Sequence, residues 1–200
     1  MTRLQTGALA ACSALWLAGV GGGAKMMWDY QTTPGEPGSP PKRWPVASRI
    51  ERRPGRATLL LMTHPQCPCS RATIGELSTL VTQLGERATV HVVVFKPRDF
   101  PSGWERSDIW TAAARIPGVS VHADEDGEEA ARFGAATSGQ AILYDAEGRL
   151  QFSGGITNAR GHRGDSAGYQ RILALATGGV ADSPTSRVYG CALADPRHGK

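Results

Sequence analysis

Apolar residues along the chain change their spacing several times, and each change marks an element. Ala57, Thr58, Leu59, Leu60, Leu61 and Met62 form a nearly continuous apolar run, as expected of a central strand covered on both faces. Beyond it Ala72, Ile74, Leu77, Leu80, Val81 and Leu84 recur at helical spacing, which predicts a helix over 70–85 ended by Gly85. Residues 89–95 are dense in β-branched side chains and read as a second strand. Helices are expected over 107–116, stopped by Pro117 and Gly118, and over 125–133, ended by Gly134. A short third parallel strand is expected between them at 119–122. Residues 141–144 and 149–152 read as strands joined by the turn Asp145-Ala146-Glu147-Gly148. A last helix over 166–177 closes at Gly178 and Gly179. Alternating strands and helices followed by a hairpin imply an α/β domain of three layers with a mixed central sheet. Right-handed crossovers put the loop after Leu61 at the carboxyl end of its strand, the usual place for a site.

The first 24 residues follow another pattern. Arg3 precedes an uncharged run over 4–24 that closes on Gly21-Gly22-Gly23-Ala24 before Lys25. A basic start, an apolar middle and small residues at the end read as an export signal. The run is also long enough to serve as an uncleaved membrane anchor, with Trp16, Trp28 and Tyr30 suited to an interfacial end. Either reading places the rest of the chain in the cell envelope, on the periplasmic side of the inner membrane or secreted into the periplasm. Residues 25–51 hold Pro34, Pro37, Pro40, Pro41 and Pro45 among Gly, Ser, Lys and Arg. That composition reads as a semi-rigid linker. The domain itself is expected over 52–178, with a tail over 179–200.

Composition changes this picture in two places. A net charge of +4 with Arg and Lys scattered among Asp and Glu gives no basic helix or aromatic-interleaved patch, so no nucleic-acid partner is expected. The four cysteines, Cys12, Cys67, Cys69 and Cys191, are too few for a disulfide framework and direct attention to individual thiols. Cys12 lies inside the apolar run and reads as inert.

Cys67 and Cys69 sit in the turn between the first strand and the first domain helix. Unpaired N–H groups and the macrodipole at a helix N-terminus favour a thiolate there. Either cysteine can be the activated one on this reading: Cys67 precedes the helix, and Cys69 lies in its first turn. Arg71 adds positive charge. Cys191 lies in a small apolar island, Val188-Tyr189-Gly190-Cys191-Ala192-Leu193, which suggests that the tail packs back onto the domain and offers a third thiol. His64 lies within the same turn, and thiolates with an imidazole also suit copper.

The stretch Leu59-Leu60-Leu61-Met62-Thr63-His64-Pro65-Gln66-Cys67-Pro68-Cys69-Ser70-Arg71, then Phe133-Gly134-Ala135, then Ala141-Ile142-Leu143-Tyr144-Asp145-Ala146-Glu147-Gly148-Arg149-Leu150, resembles the thioredoxin-like superfamily. It is most similar to the membrane-tethered TlpA-type and cytochrome-c-maturation thiol–disulfide oxidoreductases. The resemblance spans about residues 56–178. It implies a thioredoxin-like fold and redox exchange through Cys67 and Cys69 without a cofactor. The implied partners are protein thiols or disulfides and an electron-donor protein. Two departures stand out. Pro68 alone separates the cysteines where the family has two residues, so either Gln66 replaces the first cysteine or the motif is one residue shorter. The family's cis-proline is also missing, and Gly139 or Gln140 stands in its place. A copper-delivery branch of the superfamily implies the alternative of a Cu(I) site made by Cys67 and Cys69 with His64 or His162. A redox-inert interaction domain is a further alternative.

Residues 154–168 hold several glycines together with Arg160, His162 and Asp165. In a thioredoxin-like fold this loop approaches the cysteine turn, where Arg160, His162 and Asp165 could position a substrate or move a proton. The competing reading is a surface loop in which Asp165 or Ser166 caps the final helix. His91 reads as structural, His122 as a loop residue, His198 as part of the tail, and Trp104 and Trp110 as packing residues.

Overall fold

A computed structural model describes residues 3–194, so His198 lies outside the described residues. The chain divides into two units, Met1–Thr33 and Pro34–Lys200. The first is a single helix, α1 (Arg3–Thr32), which is long and apolar enough to cross a membrane by length and composition. It runs through Gly21, Gly22 and Gly23 instead of stopping at residue 24. A Lys25–Asp29 ion pair at 2.6 Å supports its last turns.

The second unit holds the sheet and its helices. β1 (Ala57–Thr63) leads to α2 (Pro68–Leu84), β2 (Ala88–Lys96), α3 (Asp108–Ala114) and β3 (Val119–Glu125). Then come α4 (Glu128–Arg132), β4 (Gln140–Tyr144), β5 (Leu150–Gly155) and α5 (Ala167–Ala176). The strand order is β3-β2-β1-β4-β5. β1, β2 and β3 are parallel, while β4 runs antiparallel to both β1 and β5. This is the expected thioredoxin-like arrangement of a mixed sheet between two layers. His122 lies in β3, paired with Val93, and not in a loop, because the strand extends three residues past its β-branched start.

The pleat of β1 explains the two layers. Leu59 and Leu61 point to a core shared with Leu77 and Leu80 of α2, Ile109 of α3 and Ile172 of α5. Leu60 and Met62 point the other way, to Ile50, Ala130, Phe133, Ile142, Tyr144 and Leu193. Alternate side chains of a strand face opposite sides, so an unbroken apolar run requires cover on both.

Part of that second cover is the proline-rich stretch, expected as a semi-rigid linker. From residue 34 onward it lies on the domain. Ser39 N–H donates to the Gly134 carbonyl at 2.8 Å, and Trp44 N–H to the Gly148 carbonyl at 2.8 Å. The Tyr144 hydroxyl donates to the Pro41 carbonyl at 3.0 Å. The Trp44 ring meets Phe133 and Tyr144 edge-on at 4.8 and 5.2 Å. Proline restricts the unfolded chain, so an irregular segment that docks through backbone groups loses less entropy than its length suggests.

On the neighbouring strands, His91 and His122 share a hydrogen bond, Nδ1 to Nε2, of 2.9 Å. Burial, then the charges of His122 and Arg53, lower His91 from 6.5 to about 4. Between those values the unfolded chain binds a proton that the folded chain refuses, so stability falls as pH drops from about 6.5 towards 4. The loss is expected to approach about 2–3 kcal/mol. Urea unfolding of wild type and His91→Gln at pH 7 and pH 4.5 measures it. An equal loss in the two proteins would remove His91 as the cause.

Candidate functional site

The site forms where β1 ends. The backbone turns at residues 64–66 and is fixed from the neighbouring loop: His64 N–H donates to Ser138 Oγ at 2.7 Å. Ser138 Oγ in turn lies 2.7 Å from Ser70 Oγ of α2. Gln66 N–H donates to His64 Nδ1 at 3.2 Å and Cys67 N–H to the His64 carbonyl at 3.1 Å. The His64 ring is fully buried, stacked on Phe95 and met edge-on by Trp104. His64 is therefore a structural post for the turn.

Cys67 is the N-cap of α2, with extended backbone (φ −79°, ψ 111°), and Pro68 opens the helix. Proline suits this position because its missing N–H is one the helix would leave unpaired. Cys69 follows in the first turn. Both thiols are buried, Cys67 at 1% and Cys69 at 5% exposure. The third thiol arrives from the tail, where Cys191 Sγ lies 3.4 Å from Cys67 Sγ. The sulfurs are free thiols.

Three thiols in one place share their protons unequally. Hydrogen bonds from the thiols of Cys191 and Cys69 hold Cys67 well below the ordinary thiol range, against the opposing effect of burial. The Cys191 backbone N–H and the Ser70 hydroxyl add to this. Cys191 is driven upward by donating to Cys67 and Cys69, and by burial. For Cys69 a hydrogen bond from Cys191 works downward, but donation to Cys67, burial and the Cys67 charge outweigh it and leave Cys69 raised. These directions favour Cys67 over Cys69 as the thiol that carries negative charge.

The other expected residues divide. Arg71 does not face the thiols: its guanidinium pairs with Asp108 at 2.5 Å, with both side chains exposed. The charge of Arg160 acts downward on Cys69, as the smallest of the effects on that thiol. His162 and Asp165 are exposed. The His162 Nδ1 lies 2.9 Å from the Arg160 carbonyl oxygen, within its own loop, and the Asp165 carbonyl accepts from Asn158 Nδ2. Ser166 caps α5, accepting from Tyr169 N–H at 3.1 Å. The loop is held by Glu76 of α2, which takes Gly164 N–H at 3.0 Å and faces Arg163 Nε at 3.4 Å.

Gly139 stands where the family's proline is expected. Its φ is 93°, a left-handed value that favours glycine, and its N–H donates to the Met62 carbonyl at 2.7 Å. Gln140 is fully buried, its amide donating to Ser153 Oγ at 3.0 Å and accepting from Ala136 N–H at 3.2 Å. Gly139 has no side chain to offer the thiols, and the Gln140 amide is taken up by Ser153 and Ala136. His64 Nδ1 is bonded within the turn, and His162 lies out in its loop. Among the described residues no group of three or more His, Cys, Asp or Glu side chains is placed to hold a metal ion.

Sequence reasoning missed Ser70, Ser138 and Glu76. Glu76 carried a signal: it is a carboxylate flanked by Ile74 and Leu77, close to the buried face of a helix, where it is 8% exposed.

No family model and no curated protein matches the chain. Among solved structures, the chain is similar to an uncharacterized conserved protein from Geobacillus kaustophilus, with 16% identity and a TM-score of 0.60 over 82% of this chain and 94% of that one. It is similar to a hypothetical protein from Sinorhizobium meliloti 1021, with 18% identity and a TM-score of 0.59 over 82% of this chain and 97% of that one. A secreted Mycobacterium tuberculosis disulfide oxidoreductase homologous to E. coli DsbE aligns at 15% identity and a TM-score of 0.44, over 62% of this chain and 83% of that one. At these identities the likeness is one of fold. The first two alignments take in more of the chain than the length of residues 52–178.

Proposed function

We propose that this chain is an extracytoplasmic thiol–disulfide oxidoreductase of the membrane-tethered, TlpA-like kind, with Cys67 as the nucleophile. The observation that carries the reading is the meeting of Cys67, Cys69 and Cys191 at the N-terminus of α2, with 3.4 Å between the sulfurs of Cys67 and Cys191. A thiol held as thiolate between two protonated thiols has both a nucleophile and a resolving partner within reach. Its partners are protein thiols or disulfides and a dithiol donor. The apolar helix α1, kept as an anchor or removed as an export signal, supports an envelope address, where disulfides persist. The reaction needs no cofactor.

Redox titration of the full chain with mass mapping of the oxidised form tests this. A reversible two-electron couple joining Cys67 to Cys191 is expected. Absence of any reversible disulfide, with alkylation of Cys67 only at ordinary thiol pH, would sink the reading.

A further inference from the structure

The tail that brings Cys191 to the site is built in two parts. Residues 182–188 are clamped. Arg171 of α5 holds Asp182 through two hydrogen bonds of 2.7 and 2.9 Å, and donates to the Thr185 carbonyl at 2.8 Å. Thr185 bridges Ser153 in parallel register along β5, and Ser186 Oγ donates to the Gly155 carbonyl at 2.7 Å. Gly35 N–H closes this part by donating to the Val188 carbonyl at 2.8 Å.

Residues 189–193 are held more lightly. Thr137 and Ala192 form an isolated antiparallel bridge. Ser138 N–H donates to the Cys191 carbonyl and Leu193 N–H to the Ala136 carbonyl, each at 2.9 Å. Besides these, the Cys191 thiol and backbone N–H meet Cys67, and the Leu193 side chain is 2% exposed. The approach is close enough to exclude a side chain at residue 190, where a Cβ would fall 1.8 Å from the Ser138 carbonyl oxygen.

Cys67 is 1% exposed, with Cys191 of this strand against it. No external sulfur can approach Cys67 in line while Cys191 occupies the position 3.4 Å away. Exchange with a partner therefore needs a movement, and the strand that carries Cys191 is the element lying against the thiol.

We infer that residues 189–193 are a detachable strand lying where the partner's cysteine-bearing segment docks, and that Cys191 resolves the mixed disulfide when the strand returns. The inference rests on the oxidoreductase reading above and adds to it the second catalytic thiol and the order of events. When the strand leaves, an extended partner segment pairs with residues 136–138. The Cys67 thiolate attacks one sulfur of the partner's disulfide. A Cys67–partner bond forms, the partner's own disulfide breaks, and its second sulfur leaves as thiolate and takes a proton from solvent. With Cys67 bonded, the negative charge that kept Cys191 protonated is gone, and Cys191 loses its proton to solvent. Its thiolate attacks Cys67 Sγ, forming the Cys67–Cys191 bond and expelling the partner's first sulfur, which is protonated. The partner has gained two electrons and two protons, and the protein has become a disulfide. A dithiol reductant restores it by the reverse exchange. Because the strand and the partner compete for the same backbone groups, resolution and release are one event.

Two variants of the full chain test this with insulin as the disulfide probe and intact mass as the readout. Gly190→Ala drives a Cβ into Ser138, so alkylation of Cys67 by iodoacetamide is expected to rise about tenfold or more. Cys191→Ser keeps the strand in place but removes its thiol, so a Cys67–insulin adduct is expected to accumulate and to resolve at least about tenfold more slowly. The inference is overturned if Cys191→Ser resolves the adduct at the wild-type rate, which would assign resolution to Cys69. It is also overturned if Gly190→Ala alkylates no faster while hydrogen exchange at residues 136–138 shows the strand released. Adducts that form and resolve regardless of the tail defeat this inference alone. If no adduct forms at Cys67 in any variant, the oxidoreductase reading falls with it. Should Gly190→Ala fail to fold, the Cys191→Ser result decides.

Discussion

Replacing Cys67 with serine is expected to abolish insulin reduction, by about a thousandfold or more, the scale on which loss of a nucleophile acts. A serine hydroxyl is not ionised at neutral pH and forms no mixed disulfide, so no partial function survives. Cys69→Ser should fall far less, by about tenfold, because its thiol is raised and its part is to donate towards Cys67. The depressed Cys67 thiol adds a second signature. Alkylation of the wild-type protein should stay nearly flat as pH falls through the range where an ordinary thiol becomes protonated. In Cys191→Ser that profile should shift upward in pH, because the first hydrogen bond holding the thiolate is weakened. Retained turnover in Cys67→Ser, with loss in Cys69→Ser, would reverse the assignment.

The largest effect on stability is expected from Phe133→Ala. Phe133 is fully buried and lies between Trp44 and Tyr144, at 4.8 and 5.9 Å between ring centroids. Deleting such a ring removes its burial and leaves a cavity that the sheet cannot close, at a cost of about 3–5 kcal/mol. For a domain of this size that lowers the melting temperature by about 10 °C. The cavity would lie under the docked proline-rich segment, so hydrogen exchange at Trp44 and Ile50 should rise with it. Trp44→Ala, at a half-buried position, should cost less. An unchanged melting temperature for Phe133→Ala would show that this layer adds nothing.

The elements were legible where one physical signal dominated. The β-branched run at 89–95 became β2, and the helical spacing after Cys69 became α2, because both faces of the sheet need apolar cover and few arrangements supply it. The docking of residues 34–50 was not legible. Their composition reports few apolar side chains, Trp44 and Ile50 among them, and the segment is held in part by backbone N–H and carbonyl groups, which every sequence carries alike. The approach of Cys191 could be suspected from its apolar island. Its contact with Cys67 depends on pairing between residues 136–138 and 191–193, which no local pattern encodes. The partner of Arg71 was not legible for a comparable reason. Helical position fixed Arg71 one turn into α2, but Asp108 on another element decided where its charge went. Glu76 meanwhile fixed the loop that carries Arg160.

The covering thiol lies 124 residues after the nucleophile, and every strand and helix of the sheet domain is complete before it in the chain. The contacts among β1 through α5 do not involve Cys191, so the sheet can assemble before the tail docks. Assembled in that order, the domain passes through a stage in which Cys67 already sits at its helix end but is uncovered, open to whatever disulfides surround it. A late partner of high sequence separation forms slowly, so the last residues to join the fold are the ones that end this period of unguarded reactivity.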